Sequence, residues 1–292
     1  MNILFANYGD CTSNSLNHIG AFANQLTRLG HACIVAIPDH PETQEVLPKA
    51  LFRVATFAEV LSDPRAFPNR QGADVVHAWT PRENVRKFAM GYLTAQPRAR
   101  LVIHLEDNEE HLTDAFLKRD GRAAANFTEF ELAAQLPPNL SVPLRARHFL
   151  TIAHGITHIT NKLRELIPAK AKMHLLLPGL EESEAISAEE IETERRSIGH
   201  TDHEKLVVYT GSTTFANLPD VKCLTVAVRL LNEAGCATRL VRTGHQPAEY
   251  QQILAEVGGD FVNDLGFVAK SRLSRLLAAA DVLVQPGAAG PF

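Results

Sequence analysis

The residues best placed to do chemistry sit at the end of one short apolar run. Leu101-Val102-Ile103-His104-Leu105 leads directly into Glu106-Asp107-Asn108-Glu109-Glu110. Side chains alternate across a strand, so His104 and Glu106 share one side at the strand's carboxyl edge. A histidine and a carboxylate placed there can orient an acceptor hydroxyl, or stabilise positive charge developing on a sugar ring. The same residues can equally cap the next helix in solvent. The sequence alone leaves both readings open.

Several other chemistries lack their signatures. The segment Asn7 to Ser15 has one glycine, so the G-x-G-x-x-G dinucleotide fingerprint is missing. G-x-x-x-x-G-K-[ST], H-E-x-x-H and G-x-S-x-G are also absent, which argues against a P-loop hydrolase, a zincin and a serine hydrolase. The 13 histidines show no metal-ligand spacing, so neither a metal nor a resident cofactor is expected. The four cysteines, Cys11, Cys33, Cys223 and Cys236, form no C-x-x-C pair and are too sparse for a disulfide scaffold, which fits a reducing cytosol.

Positioning such residues requires a regular scaffold, and the hydrophobic pattern supplies one. Ile3 to Ala6 is a short strand. Leu16, Ile19, Phe22, Ala23, Leu26 and Leu29 follow at helical spacing, and Gly30 stands where a helix should stop. Ala32 to Ile37 is a continuous apolar run of the kind buried on both faces of a parallel sheet. Ala73 to Trp79, Leu101 to Leu105, His154 to Thr160 and His174 to Leu177 read as further strands. Helices are expected over Glu83 to Leu93 and from Asn161, with an irregular helical stretch over 111–150. Residues 1–180 thus read as one doubly wound α/β domain.

Residues 181–204 are acidic and read as a linker or hinge leading into an exposed helix. A second alternation then fills 205–292: strands at Leu206 to Tyr209, Ala237 to Val241, Phe261 to Leu265 and Asp281 to Gln285, with helices at Asp220 to Ala234, Ala248 to Val257 and Ser271 to Ala280. Two doubly wound parallel sheets imply ligands beyond the carboxyl ends of the strands. The segments to weigh are therefore Gly9 to Ser15, Trp79 to Arg82, His104 to Asn108, Thr210 to Thr214, Thr243-Gly244 and Phe267-Val268.

Bulk properties bound the partners. The net charge of −4 and a pI near 6.4 argue against a dedicated nucleic-acid binder. The first 180 residues are mildly basic and the rest acidic, so any membrane contact would be peripheral and made by the first domain. No signal peptide and no spanning segment are read, and a cytoplasmic protein is expected, with membrane association left open.

Taken in order, these stretches resemble the GT-B glycosyltransferases of the large retaining group often called family 4. Leu29-Gly30-His31-Ala32-Cys33-Ile34-Val35 looks like the family's "L-G-H-x-V-x-V", and Ala73-Asp74-Val75-Val76-His77-Ala78 like "A-D-V-V-H-A". Leu177-Pro178-Gly179-Leu180-Glu181 is similar to "P-N-G-V-D". The second half carries Val208-Tyr209-Thr210-Gly211-Ser212, Leu240-Val241-Arg242-Thr243-Gly244, Leu265-Gly266-Phe267-Val268 and Ala279-Ala280-Asp281-Val282-Leu283-Val284-Gln285-Pro286. These match "V-Y-x-G", "L-V-x-x-G", "L-G-x-V" and "A-D-V-L-V-x-P" in order and spacing.

The resemblance implies sugar transfer from a nucleotide diphosphate donor to a sugar or lipid-linked acceptor, with retained configuration and no obligatory metal. Gly211 and Ser212 would lie near the diphosphate, Thr243 and Gly244 near the nucleotide, and Phe267 and Val268 against the base. Gly9 and its neighbours would close over the phosphates. Glu106 and His104 would be the catalytic candidates, with Trp79, Arg82 and Asp107 on the acceptor side. Three departures stand out. The family's sugar-facing histidine aligns with Glu106, and His104 lies two residues earlier. Ser212 to Asn217 has no cation, Lys222 being the nearest. The family's paired glutamates would lie beyond Phe292, so the chain is expected to be a C-terminally truncated piece, inactive by itself.

Overall fold

The computed structural model describes residues 1–47, 49–179, 185–214 and 217–287. They form two compact units, one of residues up to 179 and one of residues from 185 on. Leu180 and Glu181 of the P-N-G-V-D-like segment, the first residues of the acidic stretch, and Gly290 to Phe292 lie outside the described residues.

The first unit runs β1 (Asn2–Ala6), α1 (Asn14–Arg28), β2 (Ala32–Ile37), β3 (Arg53–Thr56), α2 (Phe57–Ser62), β4 (Val75–Trp79), α3 (Glu83–Ala95), β5 (Arg100–Leu105), α4 (Glu109–Lys118), α5 (Glu129–Gln135), α6 (Pro143–Thr151), β6 (Gly155–His158) and β7 (Met173–Leu175). Its seven strands are all parallel, in the order β3-β2-β1-β4-β5-β6-β7. Alternation along β1 shows why the sheet needs two covers. Ile3 and Phe5 pack with Leu16 and Ile19 of α1, while Leu4 and Ala6 pack in the core that includes Val85, Phe88 and Tyr92 of α3. Each large side chain so buried contributes roughly 1.5–3 kcal/mol.

The second unit runs α7 (Ala188–Ser197), β8 (Lys205–Thr210), α8 (Leu218–Glu233), β9 (Thr238–Thr243), α9 (Ala248–Val257), β10 (Val262–Asp264), α10 (Lys270–Ala279) and β11 (Val282–Leu283). Its smaller parallel sheet has the order β10-β9-β8-β11. Val207 and Tyr209 face the core with Val221 of α8 and Tyr250 of α9; Leu206 and Val208 face Leu276 and Ala279 of α10.

In each unit the strand order reverses once, between β1 and β4 and between β8 and β11. The loops that leave adjacent strands diverge at such a point and open a crevice at the carboxyl edge. Sequence periodicity missed β3 and α2, whose four and six residues are too short to show a period. The helix expected from Asn161 is a 3-10 segment, Asn161–Leu166, ending before Pro168. Within the acidic stretch, Ser187 and Glu190 form a capping box that starts α7. Glu194 of that helix is buried and paired with Arg272 at 2.9 Å and Arg275 at 3.7 Å. Among the described residues no helix is long and apolar enough to cross a membrane.

Gly244, after β9, has φ +91°, and a Cβ there would lie 2.7–2.9 Å from backbone atoms of Gly211 and Ser212. Gly258, which ends α9 at φ +75°, faces open space. Gly258→Ala should therefore cost only the left-handed penalty, about 1–2 kcal/mol. Gly244→Ala should lower stability further, because two loops must also separate. Urea denaturation of both variants gives the comparison, and equal costs would deny the close loop approach.

Candidate functional site

The first unit's switch point is floored by aromatic rings. Phe5, His77, Trp79 and His104 stand side by side at the carboxyl ends of β1, β4 and β5, with Trp79 and His104 ring centroids 4.1 Å apart. The Thr157 hydroxyl of β6 meets His104 Nδ1 at 2.8 Å and His77 Nε2 at 3.3 Å. Burial disfavours the charged ring, and the neighbouring histidines add repulsion at His104. His77 is accordingly pushed down to about 4 and His104 to about 2. Both are neutral at physiological pH. His104 is 1% exposed, beneath Trp79.

Glu106 lies beyond that floor, on the α1 side. The Ser15 hydroxyl, in the first turn of α1, donates to Glu106 Oε2. Burial raises the Glu106 carboxyl above the usual range, reinforced by Asp107; Ser15 and the Trp79 indole favour the carboxylate without cancelling that effect. The α1 loop is held by Asn7, wholly buried, whose amide donates to Gly9 O at 2.9 Å, Asp10 O at 3.2 Å and Ser13 Oγ at 2.7 Å. At Gly9 a Cβ would come within 3.1 Å of Ser13 Cβ, so the turn is tight.

Arg82 is already committed. Its Nε donates to Glu109 at 3.1 and 3.2 Å, its Nη2 donates to Asp107 at 3.1 Å, and its guanidinium lies 3.7 Å from the Tyr8 ring centroid. Burial opposes its charge, but Glu109, Tyr8 and Asp107 overcome that and hold it protonated. The group therefore ties the β1 loop to the β4 and β5 loops. Trp79, 1% exposed, also serves as framework, whereas Asp107 keeps a side chain 38% exposed. Thr80 has φ +73°, strained for a β-branched residue, and its N–H bonds His104 O at 3.0 Å. Nothing in the sequence signals that strain, since a residue before proline ordinarily extends.

In the second unit three strand-end loops are laced together. Thr213 N–H bonds His245 O at 2.8 Å, His245 N–H bonds Ser212 Oγ at 3.0 Å, and Gly244 N–H bonds Gly266 O at 2.7 Å. Gly211, Ser212, Thr243 and Gly244 thus meet at one edge, with Thr243 buried. Phe267 stands 82% exposed beside Val268. Arg242 is not among the site residues expected from sequence: the strand reads Thr238-Arg239-Leu240-Val241-Arg242-Thr243, where a second arginine at the strand end marks nothing about burial.

Buried polar atoms without a hydrogen-bond partner gather at the carboxyl edge of the first unit: Asn7 Oδ1, Thr80 Oγ1 and Glu106 Oε1, while Trp79 Nε1 lies beside the Glu106 carboxyl without an aligned hydrogen bond. Such groups are uncommon in folded proteins, and a polar ligand could satisfy them. Among the described residues no group of three or more His, Cys, Asp or Glu could hold a metal ion.

No protein-family model matches the chain, and neither does any curated protein sequence. Solved structures do match. Sucrose-phosphate synthase from Thermosynechococcus elongatus superposes with a TM-score of 0.66 at 11% identity, over 99% of this chain and 77% of that one. WaaG, a glycosyltransferase involved in lipopolysaccharide biosynthesis, gives 0.59 at 16% identity, over 97% and 74%. The fold is GT-B. A Listeria monocytogenes protein named as a UDP-N-acetylglucosamine 2-epimerase also gives 0.59, at 10% identity over 97% and 73%. Identities this low establish a shared fold and leave the chemistry to the site.

The buried histidines predict a pH dependence of stability. A base whose folded pKa lies below its unfolded value of about 6.5 stabilises the fold fully above that value. That contribution is lost as pH falls, toward about 4 for His77 and about 2 for His104. The stability advantage of the native chain over His104→Gln should therefore shrink between pH 6.5 and 4.5, by up to about 1.4 kcal/mol per pH unit. Urea denaturation at stepped pH measures it, and a constant gap would mean that His104 is not held neutral.

Proposed function

We propose that this chain is a glycosyltransferase that moves a sugar from a nucleoside diphosphate donor to a hydroxyl of a saccharide or lipid-linked acceptor, with retention of configuration and without an obligatory metal. The observation that carries this reading is the set of orphaned polar atoms at the ends of β1, β4 and β5. Sugar hydroxyls both donate and accept, so they match in kind the unpaired Asn7 and Glu106 oxygens. The GT-B fold supports the same reading, as do its glycosyltransferase neighbours.

In this reading Glu106 is the sugar-facing group. Glycosyl transfer passes through an oxocarbenium-like transition state, which an aimed carboxylate stabilises best in a partly dry site. A Glu106 carboxyl with a raised pKa can also hydrogen-bond a departing or incoming oxygen while protonated. His104 is a positioning group, since it acts through Trp79 and Thr157. Asp107 is the acceptor-side polar group, and Trp79 and Arg82 frame it. In the second unit Gly211 and Ser212 take the diphosphate, Thr243 and Gly244 the nucleotide, and exposed Phe267 with Val268 the base.

The Listeria neighbour keeps an epimerase reading in play, because the fold serves both. One assay separates them. Incubation with UDP-, GDP- and ADP-sugars and an acceptor panel should release free nucleoside diphosphate only when an acceptor is glycosylated, with the anomeric configuration retained by NMR. Acceptor-independent change of the sugar would favour the epimerase. Glu106→Gln should lower kcat at least about 100-fold with an unchanged thermal midpoint. Undiminished turnover in that variant would remove Glu106 from the chemistry.

A further inference from the structure

The described loop residues after β8 carry no lysine or arginine, and Lys222 Nζ pairs with Glu256 at 3.5 Å. A positive charge is nevertheless built beneath that loop. Arg242, in β9, is 0% exposed. Its Nη2 donates to the His245 carbonyl at 3.3 Å, the same oxygen that accepts the Thr213 N–H at 2.8 Å. The guanidinium therefore lies directly under the junction of the β8 and β9 loops. One face rests 4.3 Å from the Tyr250 ring centroid, and the Tyr250 hydroxyl is held by Thr225 at 2.9 Å.

The charge is incompletely answered. Asp264 Oδ2 lies 3.4 Å from Arg242 Nε, yet the pair is not aligned as a hydrogen bond. Arg242 Nε and Nη1 and Asp264 Oδ2 all lack hydrogen-bond partners. Asp264 Oδ1 is occupied by the Gly266 N–H at 3.0 Å. A buried arginine with two unpartnered nitrogens is unfavourable for folding alone, so its retention calls for another use. Thr213 Oγ1 and Gln246 Nε2, on the two loops above it, are buried and unpartnered as well.

We infer that Arg242 supplies, from inside strand β9, the positive charge that offsets the diphosphate of a nucleotide held on the loops after β8 and β9. It acts as a positioning residue: it anchors the His245 carbonyl and projects its field through the loop backbone, where low polarisability preserves the attraction. Asp264, 3.4 Å from Arg242 Nε, tempers that charge. This inference rests on the second unit being the nucleotide-binding one.

The test pairs two substitutions whose effects should have opposite signs. Calorimetry at low salt compares inorganic pyrophosphate, UDP, GDP and ADP with the matching nucleosides. Arg242→Met should weaken pyrophosphate and the bound diphosphate about tenfold while leaving nucleoside affinity unchanged. Asp264→Asn preserves the contact to Gly266 and should tighten both diphosphate probes several-fold. Thermal midpoints are measured alongside, and if Arg242→Met does not fold, Arg242→Lys with Asp264→Asn carries the comparison, the lysine variant keeping the diphosphate preference. Weakening of binding by both Arg242→Met and Asp264→Asn, as loss of a structural ion pair would give, overturns the inference; so does no change in either. If the native chain binds no nucleoside diphosphate, the donor reading and this inference fall together. If it binds one and Arg242→Met keeps the preference over the nucleoside, the inference alone falls.

Discussion

Parallel pairing is the constraint from which the rest follows. A strand can lie parallel to its predecessor only after the chain has crossed back over one face of the sheet, and each crossing returns in the same hand. All the turns that start crossovers are thereby collected at one edge. The edge keeps polar and charged groups because it cannot be covered by the helices that seal the faces. In the first unit this edge carries Asn7, Thr80, Arg82 and Glu106; in the second it carries Ser212, Gly244 and the buried Arg242.

The two edges solve different electrostatic problems. The first is lined by neutral histidines and aromatic rings, with one arginine consumed by Glu109 and Asp107. What remains is a carboxyl group with a raised pKa above a floor of buried rings, which the proposed reading assigns to an uncharged sugar. The second edge has glycines that let backbones approach closely and, among the described residues, the submerged guanidinium of Arg242, which the proposed reading pairs with a phosphorylated group. This division follows from side-chain placement, whereas the GT-B fold by itself would allow either transferase or epimerase chemistry.

Much of the scaffold was legible in the sequence because burial on both faces writes itself as unbroken apolar runs. Ile3 to Ala6, Ala32 to Ile37 and Leu101 to Leu105 lie on strands, and the Ala248 to Val257 periodicity coincides with α9. Short elements such as Arg53–Thr56 left no period to detect. The strand-end pair His104 and Glu106 was visible as an alternation, and both do face α1. Their difference in depth was not visible, because Trp79 covers His104 from a strand 25 residues earlier in sequence. Arg82 was expected on the acceptor side, and its pairing with Glu109 and stacking on Tyr8 arise only on folding. Thr80 and Arg242 depend wholly on tertiary context: strain and orphaned donors exist only in the folded chain.

The central claim is that ligands engage the carboxyl edges of the sheets. Hydrogen–deuterium exchange with and without UDP, GDP and ADP measures this most directly, since it reports backbone amides throughout the chain. The account predicts slowed exchange for one of these nucleotides at residues 211–214, 244–246 and 266–268, with the opposite ends of the strands unaffected. Protection at the amino edge, or none anywhere with any of the three, would contradict it.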